Sequence, residues 1–438
     1  MTFCPPEDLN AWAGIIDLIA VETGERAARE HWQAAQFRNL LSHALQHSAF
    51  WRQRLGAKRL PANIKLADLP VLTRSALRAQ VAAEDSLVKP PNPLPVQKHA
   101  TSGSSGTPVE FFATKMNITY NHMRYFAQFF IYGLDVSLNM ARFRTKPVDD
   151  PAGFTVKHEA SWSNQQRLLR CGTMKFIQFY RPEIPQLCEE LRRSPVGYFV
   201  SGPDIVEYLL QEVTPEFFVE IGTRMFIPIS ATFDAATLQL FADVDLPVAA
   251  TYSAEEVGPI ANECLKAPGH YHVATSNVIV EVDMSAPVDV DGELLGRVLV
   301  THLHSYATPF IRYDIGDLAR LAPTCPCGHD GPALSHIYGR SKQLIQFADG
   351  RLKPFFIRGS TLVEVAPLKE YRFRQTAPAV LAVEFVADEA LPAPVFEALA
   401  ALIRRHTGED FEIRLQQVAE IDWANDTKRL GFRNELLT

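Results

Sequence analysis

Eight residues, Thr101-Ser102-Gly103-Ser104-Ser105-Gly106-Thr107-Pro108, run without a polar break into the strand-forming stretch Val109-Glu110-Phe111-Phe112. A run of glycine and small hydroxyls is either a flexible linker or a loop held between structured elements. A linker would continue polar, so the apolar residues that resume at Val109 favour the held loop. Gly103 and Gly106 allow positive φ and close approach of backbone to a ligand, while hydroxyls and successive N–H groups can point into one concavity. That is what a polyphosphate needs. The loop is not the common P-loop, because no Gly-Lys-Ser/Thr ending follows Gly106.

The elements around this loop predict an α/β fold. With 438 residues, 47% of them apolar, the chain exceeds one ordinary core. The expectation is a large multi-layer N-terminal domain of mixed sheets and helices, residues 1–340, and a small α+β C-terminal domain, residues 341–438. Apolar positions at three-to-four spacing make residues 7 to 56 helical. A second helix, rich in aromatics, is expected over Ile118 to Leu134, and its Tyr125 to Tyr132 segment is read as core or as the wall of a flat apolar pocket. Strand, tight turn and helix recur at Gly197 to Gly202 and at Met225 to Ser230. Ser201, Ser230, Ala231 and Thr232 therefore fall at strand ends, where open α/β sheets bind nucleotides. Asn277 to Asp283 and Gly296 to Leu303 read as strands. Near the end, Pro378 to Val386 and Phe411 to Val418 read as strands flanking the helix Val395 to His406.

Composition excludes some roles. A net charge of −7 offers no basic footprint for nucleic acid or an anionic membrane. The start lacks a basic segment followed by an apolar core, and no stretch supplies eighteen uninterrupted apolar residues, so a cytoplasmic location is expected. Six cysteines do not make a disulfide scaffold in a chain this long.

Three further clusters carry chemistry. In Thr251-Tyr252-Ser253-Ala254-Glu255-Glu256, an acidic pair beside a hydroxyl and an aromatic suits a divalent cation and a base-stacking face, against the alternative of a solvated turn. In Arg312-Tyr313-Asp314-Ile315-Gly316-Asp317-Leu318, a carboxylate such as Asp317 can accept from two ribose hydroxyls, against an ion-paired turn. Cys325-Pro326-Cys327-Gly328 has the spacing of a metal knuckle. Joined by Cys264 and His272 it makes a closed Cys₃His zinc site, and the competing reading is a pair of inert thiols.

The order of these motifs resembles the adenylate-forming superfamily of acyl-CoA synthetases, adenylation domains and luciferases, and within it the phenylacetate-CoA ligase branch. TSGSSGTP resembles its phosphate loop, YSAEE its Tyr-Gly-x-Ser/Thr-Glu, RYDIGDL its Arg-Tyr-x-Thr-Gly-Asp-Leu, and GRSK (Gly339 to Lys342) its hinge. The resemblance implies that Thr101 to Thr107 hold the ATP phosphates, that Tyr252 and Ser253 flank the adenine and that Glu256 binds Mg²⁺. It further implies Asp317 on the ribose, Arg340 near it, Lys342 as the pivot between domains and Lys428 as the cation at the reacting carboxylate. The implied activity is ATP-dependent joining of a carboxylic acid to AMP and then to coenzyme A. The aromatic helix points to an aryl or arylacetic acid. Alternatives are transfer to an acyl carrier protein or an amine, and a catalytically altered nucleotide-binding protein. A homodimer is a further expectation. Ser253, Glu255 and Thr232 depart from the family's usual residues.

Overall fold

The structure, a computed structural model, describes residues 6–56, 64–82, 95–100, 109–145, 152–162, 170–229, 232–339, 344–355, 357, 359–408, 411–422 and 431–436. Among them, no helix is long and apolar enough to cross a membrane.

The N-terminal helical stretch is three helices, Pro6–Thr23, Arg26–His47 and Ala49–Leu55. Ser48 starts the third by accepting from the Trp51 amide at 3.3 Å. Phe37, Leu40, Leu41, Ala44 and Leu45 recur at helical spacing and are buried in the largest core. The aromatic helix spans Lys115–Ile131 and begins earlier than Ile118, because Thr114 caps it by accepting from the Asn117 amide at 3.1 Å.

These helices lean on two sheets. The first has five strands in the order Thr155–Glu159, Met174–Phe179, Met140–Thr145, Tyr198–Ser201 and Met225–Pro228, all parallel except the first. Period-two alternation splits the central strand between two cores. Ala141 and Phe143 join the core that includes Leu187 and Phe218, and Met140 joins Phe129, Tyr198 and Met225. Strand-turn-helix units therefore appear where the sequence placed them.

The second sheet has nine strands in the order Leu344–Gln346, Leu352–Pro354, Val278–Val290, Glu293–His302, Tyr313–Ala322, Ala333–Tyr338, His270–Val273, Gly258–Glu263 and Thr251–Ala254. Four strand spacings separate Tyr313–Ala322 from the edge strand Thr251–Ala254, about 19 Å in a flat sheet. Yet the Tyr252 hydroxyl lies 2.6 Å from Asp317. The sheet therefore curls on itself like an incomplete barrel, following the hand of strand twist. The segment around Leu72 helps fill the seam: its N–H donates to the Arg312 carbonyl at 2.9 Å and its carbonyl accepts from Asp314 at 3.0 Å.

After these come four strands, Glu412–Gln417, Val380–Ala387, Leu368–Ala377 and Phe432–Asn434, with helix Ala393–Thr407 packed on them. Leu368–Ala377 was not read from the sequence, since charged residues interleave its inward Phe373. This is an α+β unit with its own core. Ile345, Phe355 and Ile357 also enter that core.

One buried ion pair ties the first helix to the aromatic helix. Glu22 lies 3.2 Å from Arg124 and accepts from the Ser276 amide at 2.8 Å, with both charged side chains almost fully enclosed. Removing one partner leaves a charge without compensation. Glu22→Ala is expected to lower stability by about 3–5 kcal/mol, read as a lower urea midpoint; an unchanged midpoint would contradict the account.

Candidate active site

The seam of the curled sheet gathers side chains from three distant stretches. Tyr252 is on the edge strand, Glu256 is in the turn after it, Tyr313 and Asp317 share one strand, and Arg74 opens the helix Arg74–Ala82.

Asp317 owes its direction to a bulge. Arg297 pairs with Leu318 and Leu299 with Asp314, so Ile315, Gly316 and Asp317 together face one residue, Val298. Gly316 has φ +86°, and a Cβ there would lie 4.0 Å from the Arg74 guanidinium carbon. The motif is thus a bulged strand where the sequence reading left an ion-paired turn open. Arg312 and Asp314 of the same motif serve the fold: Arg312 holds Glu281 at 3.0 Å and donates to the Ala67 carbonyl at 3.1 Å, and Asp314 holds Arg297 at 3.1 Å.

The Tyr252 hydroxyl donates to Asp317 at 2.6 Å. Burial, followed by the Asp317 charge, pushes this phenol well above the ordinary tyrosine range, so it stays a donor. Tyr313 does the same for Glu256 at 3.1 Å, and burial ahead of the Glu256 charge raises it too. Arg74 Nη2 lies 3.7 Å from the same Glu256 oxygen and donates to the Ile315 carbonyl at 2.8 Å. Burial opposes the Arg74 charge, but Tyr313 and Glu256 more than offset it and raise its pKa. The turn bearing Glu256 is fixed on its far side, because Gly258, at φ +67°, sits so close to Asn121 that a Cβ would fall 2.6 Å from its oxygen. Two buried carboxylates, each held by a tyrosine, thus flank one guanidinium. Such an arrangement can take a cation on one side and hydroxyl donors on the other.

The strands on either side of the hydroxyl-glycine run are paired. Ala100 faces Glu110, Val96 faces Thr114, and the Phe112 amide donates to Thr308 at 3.0 Å. Both ends are anchored, as a held loop requires and a linker does not. The residues Thr101, Ser102, Gly103, Ser104, Ser105, Gly106 and Thr107 themselves lie outside the described residues, as do Ser230, Ala231, Arg340, Lys342 and Lys428. Thr232 is exposed just beyond the strand Met225–Pro228, and Ser253 is exposed on the edge strand opposite Pro259.

Arg74 and Tyr313 escaped the sequence reading as site residues. A signal existed for Arg74, since Thr73 caps its helix by accepting from the Ala76 amide at 3.2 Å and places the arginine in the first turn. The aromatic helix, by contrast, spends its rings on packing. Phe126 and Phe129 lie 5.2 and 4.9 Å from the Trp162 ring, and Phe129 also meets Tyr198.

A second cluster stands apart from these carboxylates. The ligand atoms of Cys264, His272, Cys325 and Cys327 all lie within 4.8 Å of one another, and His272 Nε2 is 3.4 Å from Cys327 Sγ. Ligands on a tetrahedral zinc sit about 3.5–3.8 Å apart, so the set fits. Burial, with His329 and His270 nearby, lowers His272 to about 4, which leaves it neutral and able to ligate. Burial raises the Cys325 thiol to about 12; it is also the largest influence on Cys327, where hydrogen bonds from the His329 amide, Cys325 and Cys264, with the Lys266 charge, together outweigh it and lower the pKa. The second helix clamps the knuckle from outside through Arg26 and Arg29, which hold Asp330 and its carbonyl.

Similarity in three dimensions extends over nearly the whole chain. A 2-hydroxyisobutyryl-CoA ligase in the postadenylation state, in complex with R3-HIB-AMP, aligns with a TM-score of 0.61 and 18% identity over 95% of this chain and 90% of that one. The same ligase with 2-HIB-AMP and CoA, in its thioesterification state, aligns at 0.57 over 96% and 92%. The chain has the fold of these ligases. An acyl acid amido synthetase shares it more distantly, at 0.51 and 12% identity over 91% of this chain and 87% of that one. No protein-family model matches the sequence, and no curated relative does.

Proposed function

We propose that this chain joins a carboxylic acid to AMP at the expense of ATP and passes the acyl group to coenzyme A. One observation carries the reading: the curled sheet brings Tyr252, Glu256, Tyr313 and Asp317 together in a fold shared with acid–CoA ligases.

In this reading Asp317, oriented by Tyr252, accepts from the ribose hydroxyls, and Tyr252 presents its ring to the adenine. The anchored Thr101–Thr107 loop turns its N–H groups to the phosphates. Glu256 Oε1 is committed to Tyr313 and Arg74, which would leave its other oxygen to hold the cation that accompanies the nucleotide. A magnesium ion held there would supply positive charge against the phosphates. The substrate carboxylate and the α-phosphate repel one another, so attack also needs a mobile cation, the role given to Lys428. Carboxylate oxygen bonds to the α-phosphorus as pyrophosphate leaves, and the thiolate then displaces AMP from the acyl carbon. The unit after residue 340 would close for the first step and rotate about Lys342 for the second. The acid class is left at carboxylic acid, because the rings that suggested an aryl pocket are largely in the core.

The Cys264, His272, Cys325 and Cys327 set is proposed to hold one structural zinc. Its four ligands leave no open position, so it ties the strands and the second helix together and takes no part in the reaction.

A second acceptor has support of its own, since one structural relative is by name an amido synthetase. The test is exchange of labelled pyrophosphate into ATP across a panel of short, hydroxylated and aryl acids, followed by product analysis with coenzyme A or amines. Acid-dependent exchange is expected. Its absence across the whole panel would refute adenylation, and amide formation without thioester would select the second acceptor.

A further inference from the structure

Behind Glu256 lies a histidine that the reaction above does not use. His302 ends the strand Glu293–His302 and is 1% exposed. With Glu256, Asn117 and Ser305 on its polar side and Phe111, Phe112 and Phe310 on its apolar side, it lines a small cavity beneath the strand Glu110–Thr114. The space admits about one water.

The tautomer of His302 follows from its neighbours. Asn117 Nδ2 lies 3.3 Å from the His304 carbonyl, which can only accept, so the amide nitrogen faces that side. The same nitrogen is 3.3 Å from His302 Nε2 and donates to it. Nε2 is therefore bare, and the ring proton sits on Nδ1. That Nδ1 is buried and has no partner in the protein. An orphaned donor of this kind costs about 1–3 kcal/mol unless something accepts from it. His304 is not that acceptor, since its ring centre lies 6.3 Å away and no hydrogen bond joins the two rings.

We propose that His302 is a positioning residue for Glu256: its Nδ1–H donates to one ordered water in this cavity, and that water donates to the Glu256 carboxylate. Tyr313 fixes one Glu256 oxygen from the strand side, and the water fixes the carboxylate from behind. The free oxygen then meets the nucleotide's cation in one orientation. Outer partners of this kind change metal affinity by about 10- to 100-fold when removed. The inference rests on Glu256 being the carboxylate that receives the magnesium.

Two isosteres separate this role from mere packing. The amide nitrogen of an asparagine falls near the place of histidine Nδ1, and a glutamine amide near that of Nε2. His302→Asn keeps the donor to the cavity and loses the partner of Asn117, while His302→Gln does the reverse. The measurement is calorimetric binding of ATP at stepped magnesium, with thermal melting of each variant alongside. His302→Gln is expected to raise the magnesium concentration for half-maximal ATP binding about tenfold while melting near wild type, and His302→Asn to restore most of the magnesium dependence even if it melts lower. The reverse order, with glutamine normal and asparagine impaired, would overturn the inference and leave His302 as a partner of Asn117 only. Equal magnesium dependence in all three proteins would overturn it as well. If wild-type protein binds no ATP at any magnesium concentration, the adenylation reading falls and takes the inference with it.

Discussion

Glu256→Gln is expected to slow acid-dependent pyrophosphate exchange by about 10²- to 10³-fold while leaving the melting temperature within a few degrees of wild type. The substitution is chosen for what it keeps. A glutamine oxygen still accepts from Tyr313, whose hydroxyl now sits 3.1 Å from Glu256 Oε1, so the turn against Asn121 has no reason to move. What disappears is one negative charge in a nearly enclosed site. The partly exposed Arg74 loses a neighbour at 3.7 Å, worth on the order of 1 kcal/mol at that exposure. The cation accompanying ATP loses a ligand whose charge has no substitute among the groups gathered there, since Asp317 is engaged with Tyr252. Ground-state ATP binding should weaken less than the rate, because charge on the phosphates grows as pyrophosphate departs. Exchange by the variant at the wild-type rate would remove Glu256 from the reaction and, with it, the alignment of YSAEE to a metal-binding motif.

The site's parts differ in how readily the sequence discloses them, and the reason is geometric. Tyr252, Glu256 and Asp317 stand in short motifs whose residue types match the roles proposed for them, and the structure brings them together. Nothing local says that they meet. Tyr252 and Asp317 are 65 residues apart in sequence and four strands apart in the sheet, and only its curl closes the distance to 2.6 Å. Arg74 is harder still, because it reaches the seam through the single bridge of Leu72 to Tyr313, which no periodicity encodes. The aromatic helix misleads in the opposite sense. Its composition suits a pocket wall as well as a core, and packing against Trp162 decides for the core. The bulge at Gly316 was visible only as a glycine among charges, yet it is what turns Asp317 out of strand alternation toward Tyr252.

Purified protein is expected to carry about one zinc per chain, and Cys325→Ser to lose it together with about 3–5 °C of melting temperature, roughly 3–5 kcal/mol for a chain of this size. The direction follows from what the site is without metal. Cys325 and Cys264 are buried, and burial raises the Cys325 thiol to about 12, so the metal-free cluster hides thiols that have poor partners. Zinc converts them to thiolate ligands, releases protons and joins the hairpin carrying Cys264 and His272 to the knuckle of Cys325 and Cys327. The second helix is clamped to that knuckle through Asp330, and its Phe37 to Leu45 face is buried in the largest core, so loosening it spreads into the largest part of the fold. The pH sign is set by the thiols. His272 is held near 4 and is neutral across the working range, so protons compete with zinc at sulfur; metal should be retained at neutral pH and released as pH falls. Metal analysis after dialysis at stepped pH reads this directly, with melting curves before and after a chelator. Zinc-free protein that melts like the wild type, and a Cys325→Ser variant that does the same, would make the four residues an unligated packing cluster. The carboxylates at the seam test separately. A chelator that strips zinc without magnesium present leaves Glu256 untouched, so any loss of ATP binding after zinc removal alone reports on the scaffold beneath the site.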